Sequence, residues 1–124
     1  STIEQRPSRD DALLGAAPVL IVPWLSFEAE RPYPDDDRRH AERERFVLSA
    51  GAAIQNLRLA LDAQGVASCW VSSSLFCQEE SRAVLGMGET WYAMGTVAAG
   101  PMSSGAAASP RPPLDLSDHL RIVE

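Results

Sequence analysis

Apolar residues in this chain come in blocks, and polar or proline-rich stretches separate them. PVLIVPWL, residues 18–25, is short, β-branched and apolar throughout, which predicts a central or well-covered strand. Pro23 pushes the far end of that strand to an edge or a bulge. Ahead of it, DDALLGAAP reads as a short helical end that Pro18 stops. Residues 39–64 carry the longest pattern, a helix of ~36–39 Å at about 1.5 Å per residue. Its first turns are charged. From Phe46 onward apolar residues lie nearly all round it, through Val47, Ala50, Ile54, Leu57, Leu59 and Leu61. A helix apolar on most faces is buried on most faces, and a single domain of 124 residues has trouble covering it alone. A second subunit is the expected remedy. Gly51, inside Ala50-Gly51-Ala52-Ala53, adds to that expectation, because a mid-helix glycine costs about 1 kcal/mol against alanine unless another backbone comes close.

Gly65 ends that helix, and VASCWV, 66–71, predicts the next strand. SLFCQEESRAVLG, 74–86, predicts a short helix capped by Ser74, with Glu79 and Glu80 near its front and Gly86 at its end. WYAMGTVAAG, 91–100, predicts the last strand. Residues 101–113 are small and proline-rich and predict a flexible linker. LDLSDHLRIVE then predicts an extended arm or short strand whose leucines must dock on something, a partner subunit being the economical candidate. Between the first strand and the long helix, residues 26–40 predict a solvated, charged loop that caps the helix; its aspartates lack the glycine and glutamate spacing of a calcium loop. The whole predicts an α+β domain, a sheet layer packed on a long buried helix, spanning residues 1–124. Residues 1–17 form its leader, 18–100 its core and 101–124 its linker and arm.

Charge and composition narrow the chemistry. The formal net charge is -6, which argues against a nucleic-acid backbone as partner. All 11 cations are arginine, so no lysine is present for Schiff-base or P-loop chemistry. Cys69 and Cys77 are too far apart, and too short of partners, for a zinc site, and they read as buried structural thiols of a cytosolic protein. A Ser-His-Asp triad lacks its context, since His40 and His119 both sit in charged segments. No apolar run approaches the ~20 residues of a membrane span. Two features remain. Ser72, Ser73 and Ser74 follow a strand directly and offer N–H groups and hydroxyls to an acceptor-rich ligand, or else form a plain turn with a helix cap. Arg111, fixed between prolines in SPRPP, is suited to a phosphate, or else is a solvated loop residue.

Together APVLIVPW, AGAAIQNLRLALDAQGVASCWVSS, WYAMGTVAAG and PRPP resemble the flavin-dependent nitroreductase family. Within it, WVSSSLFCQEESRAVLGMGETWYAMGTVAAG and the YPD before RRHAERERF look most like the C-terminal domain of the bifunctional actinobacterial coenzyme F420:L-glutamate ligases. The resemblance runs over roughly residues 12–122. It implies a homodimer built on the 39–64 helix, with FMN at the subunit interface and the C-terminal arm wrapped on the partner. It implies that Val71, Ser72 and Ser73 hold the flavin ring edge and that Arg111 meets the FMN phosphate. It further implies reduction of a dehydro precursor of the deazaflavin coenzyme and support for glutamate addition by a separate ligase domain. An NAD(P)H-dependent nitro- or quinone reductase, or a non-catalytic dimerising module, are the alternatives on the same scaffold. Family members also carry an N-terminal arginine-serine phosphate motif, which this chain does not show, so it is expected to be the C-terminal part of such a domain.

Overall fold

A computed structural model describes residues 9–105 and 109–123. After the short helix α1 (Arg9–Ala16), the apolar block at 18–25 does not make one strand. It splits at Pro23 into β1 (Val19–Ile21) and β2 (Trp24–Ser26), which enter different sheets. The expected central strand is an edge: β1 pairs only with β5 (Thr96–Pro101), and Val19 and Leu20 stay half exposed. The centre of the sheet is β5, which bonds to β1 on one side and β3 (Val66–Val71) on the other. Its small residues allow close cover on both faces, and Thr96 to Ala99 are all buried. Both ladders are antiparallel, with Val19 opposite Ala99 and Val66 opposite Pro101.

The last predicted strand is broken too. β4 (Trp91–Ala93) pairs with β2 in a second, two-stranded antiparallel sheet. The chain then turns at Met94–Gly95 into β5. Gly95 has φ +89°, a left-handed conformation that glycine alone adopts without cost. The two breaks meet, for the N–H of Met94 donates to the carbonyl of Pro23 at 2.9 Å. That bond joins the two sheets at their shared corner.

The long helix α2 spans Asp36–Ala63, starting three residues before the expected position. Its cap explains the difference. Asp35 is extended and its carboxylate accepts from the N–H of Arg38 at 2.9 Å, while Asp36 and Asp37 complement the helix dipole in the first turn. This cap holds the Asp35 carboxyl below its usual pKa, through the Arg38 N–H first and the Arg38 side chain second. The loop ahead of the helix is tied down as well as capped. Glu42, at 7% exposure, accepts from the guanidinium of Arg45 at 2.8 Å and from the N–H of Arg31 at 3.3 Å. Arg43 lies 3.8 Å over the ring of Phe27 and pairs with Glu30 at 3.0 Å.

Among the described residues only one side of α2 is covered. Ile54, Met94 and Val97 form the core, flanked by Ile21, Leu25, Ala50, Leu57 and Leu61. Val47, Leu48 and Leu59 face solvent. A Cβ added at Gly51 would meet nothing within 4 Å among the described residues, so none of them makes the close backbone approach expected there. β3 matches the predicted range residue for residue. The predicted helix at 74–86 is two pieces, α3 (Ser73–Phe76) and α4 (Gln78–Leu85), separated at Cys77. Gly86 ends α4 in the left-handed conformation, as expected. Beyond β5, residues 109–123 are exposed, with one 3₁₀ turn at Leu116–Asp118; the centre of the expected linker, 106–108, lies outside the described residues.

Candidate functional site

β3 delivers its last residue, Val71, into the sheet opposite Thr96, with 5% of its surface exposed. The chain leaves the sheet at Ser72, which is exposed and occupies the cap position of α3. No side chain caps this short helix, so the expected cap by Ser74 is replaced by another role. The Ser74 hydroxyl instead accepts from the hydroxyl of Thr96 at 3.0 Å. Ser73 differs from both neighbours. Its Oγ is buried and finds no hydrogen-bond partner among the described residues. A buried hydroxyl without a partner costs about 1–3 kcal/mol.

Val71, Ser72 and Ser73 therefore stand together at one open end of the larger sheet. Arg111 lies on the exposed segment beyond β5, and no hydrogen bond or ion pair engages its guanidinium among the described residues. Two grooves lie elsewhere. One of about 760 Å³ runs over the outer face of the larger sheet, lined by Leu13, Pro18, Ala67, Cys69, Ala98 and Gly100 among others. Another, of about 490 Å³, is lined by Phe27, His40, Arg43, Glu44, Val47 and Leu48. Neither touches the serine edge, which is an open rim in the single chain and not a cleft.

The cysteines are not buried, contrary to expectation. Cys69 points to the outer face of the sheet, which α1 covers only in part, and Cys77 occupies the break between the two short helices. Trp70 is 40% exposed, and its Nε1 donates to the carbonyl of Met94 at 2.9 Å. His40 pairs with Glu44 at 3.1 Å on the surface of α2. Among the described residues no three His, Cys, Asp or Glu side chains gather where they could hold a metal ion. None of the described helices is long and apolar enough to cross a membrane.

Sequence reading missed two residues that shape this rim. Gln78 binds both polar groups of Ala93, accepting from its N–H at 2.8 Å and donating to its carbonyl at 2.8 Å. Thr96 holds Ser74. Thr96 had a signal, since a hydroxyl in an otherwise apolar strand needs a partner. Gln78 had none, because its partner lies 15 residues away.

A long helix packed on antiparallel sheets, with a small-residue rim where β3 ends, defines an α+β domain. A sequence model of the nitroreductase family matches residues 3–100, and the chain belongs to that family. The match closes at Gly100, so Arg111 and the C-terminal arm lie beyond it.

Proposed function

We propose that the chain is an FMN-dependent oxidoreductase domain that works as a homodimer, with Val71, Ser72 and Ser73 on the flavin ring edge and Arg111 on its phosphate. The observation that carries the reading is the buried, unpartnered hydroxyl of Ser73 beside the open Ser72. Small side chains there leave the backbone approachable, and a ring edge rich in acceptors and donors suits such a rim. The group fits the residues present. Ser73 would give its hydroxyl to the ring, Ser72 and Val71 would offer backbone groups, and Arg111 would neutralise the phosphate. FMN, when bound, supplies hydride transfer to a conjugated acceptor, and the protein supplies position and polarity around it.

Surface area supports the second copy. The chain presents 10121 Å², whereas a compact monomer of 13.4 kDa presents about 6,500 Å². The surplus, about 3,600 Å² per chain, exceeds the ~1,000–2,500 Å² that each partner of an obligate dimer commonly buries, and the exposed segment after β5 adds to it. It includes the solvent-facing side of α2 and Leu114, Leu116, Leu120, Ile122 and Val123 of the arm. We assign the acceptor as a dehydro precursor of coenzyme F420, on the likeness of WVSSSLFCQEESRAVLG to the C-terminal domains of the F420 ligases. On this reading the domain also assists tail glutamylation by a separate ligase domain.

Titration with FMN, followed by quenching of flavin fluorescence, tests the reading. Saturable binding by a dimeric protein is the expected result, with Ser73→Ala weakening it by about tenfold, as for the loss of one hydrogen bond to a ligand. A dimer that takes up no FMN at high micromolar concentration refutes it. With flavin bound, turnover of a deazaflavin precursor supports the assigned acceptor, and turnover of NADPH with a quinone alone overturns that part.

A further inference from the structure

Ser72 and Ser73 ride on α3, a helix of 4 residues that is too short to hold its own position. Two polar ties fix it from opposite sides. On one side Thr96, at 5% exposure on the central strand, donates its hydroxyl to Ser74. On the other, the side-chain amide of Gln78 bonds both the N–H and the carbonyl of Ala93, and its Nε2 also donates to the carbonyl of Leu75 at 3.0 Å. Ala93 is fully buried, so its peptide groups must find partners. Glutamine is suited to this, since its amide offers a donor and an acceptor in the geometry of a peptide. β4 thus has β2 on one edge and a side-chain amide on the other. The two ties reach α3 through β4 and β5, the strands on either side of the Met94–Gly95 corner.

We propose that Gln78 and Thr96 are positioning residues: together they clamp α3 and so set where Ser72 and Ser73 meet the flavin ring. The clamp rests on the ring-edge reading above for its purpose, and on the hydrogen bonds alone for its existence. On this reading neither residue needs to touch the ring. Each acts through the backbone of 72–76.

Thr96→Val and Gln78→Met remove the polar ties at nearly constant volume, and Thr96→Ser keeps the hydroxyl. Amide hydrogen exchange of the protein without FMN reads the clamp directly. Exchange at residues 72–76 is expected to rise by about tenfold in Thr96→Val and Gln78→Met, with α2 unchanged and Thr96→Ser like the wild type. FMN affinity is expected to fall by about 5- to 20-fold in the same two variants, with an altered visible circular dichroism of the bound flavin. Unchanged exchange at 72–76 overturns the clamp. Faster exchange with unaltered affinity and dichroism overturns the positioning role and leaves a purely structural one. If Gln78→Met fails to fold, Thr96→Val decides the question alone. If the wild type binds no FMN, the ring-edge reading fails, and exchange by itself then supports or overturns the clamp.

Discussion

Replacing Gly95 by alanine is expected to be among the most damaging single changes in this fold. A Cβ built there lies 2.4 Å from Nε1 of Trp70 and 2.7 Å from the carbonyl oxygen of Val71. The second contact is with backbone at the end of a ladder, which cannot move aside without breaking the pairing of Val71 with Thr96. The φ of +89° itself costs an L-residue about 1–2 kcal/mol. Displacing the indole gives up its bond to Met94, worth about 1 kcal/mol net. The sum is about 2–3 kcal/mol before any shift of β3, a large part of the ~5–15 kcal/mol that holds an ordinary domain together. Urea unfolding followed by far-ultraviolet circular dichroism, at one fixed protein concentration, measures it. With a slope of about 2 kcal/mol per molar urea, the midpoint falls by about 1–1.5 M. Trp70→Phe provides the cross-check. It shrinks the ring, so Gly95→Ala should cost about 1 kcal/mol less in that background than in the wild type. A loss under about 1 kcal/mol, or two costs that simply add, refutes the account of this corner.

Gly51→Ala separates the chain's own stability from its association. The new methyl meets nothing among the described residues, so helix propensity gains about 1 kcal/mol, whereas close packing of a second α2 at this point makes the same change weaken the dimer in sedimentation equilibrium. Glu42 predicts acid sensitivity. The Arg45 side chain, and then the Arg31 N–H, hold its carboxyl below the usual 4.5 against the opposing effect of burial. Its stabilising contribution is therefore complete above pH 4.5 and fades as pH falls below it. Glu42→Gln should flatten that part of a plot of urea midpoint against pH. Arg111→Ala should weaken FMN binding by ~1.5–3 kcal/mol, the scale of one charge-assisted bond to phosphate; unchanged affinity in the same titration leaves Arg111 a solvent residue.

Local signals were legible and long-range ones were not. VASCWV was readable to the residue because Gly65, with φ +73°, ends α2 one position before it. The cap of α2 was within reach too, since Asp35 follows Pro34, but the charged loop hid where its last turn began. What the pattern could not say is which strand has neighbours on both sides. PVLIV looks more like a central strand than TVAAGP does, yet pairing put the alanine-rich segment in the middle and left Val19 and Leu20 at the edge. Burial of Cys69 failed for the same reason, as it depends on what lies over the outer face of the sheet. The serine rim was visible as small polar residues after a strand. The ties that hold it, Gln78 to Ala93 and Thr96 to Ser74, were not, because each joins positions that only the finished fold brings together.

The order β1–β5–β3 also fixes a sequence of events in time. The middle strand is the last of the described strands to be synthesised, and Val19 pairs with Ala99 across a separation of 80 positions. At about 5–20 residues per second, the ribosome exposes α2 for several seconds before the sheet that covers it can close. Until then the sheet that covers Ile54 and its neighbours does not exist, and contacts this distant in sequence form slowly once they can. A nascent chain in that interval is a long amphipathic rod looking for a surface. Slowing translation between residues 64 and 96 should therefore lower the yield of folded protein, and supplying another chain at the same stage should raise it.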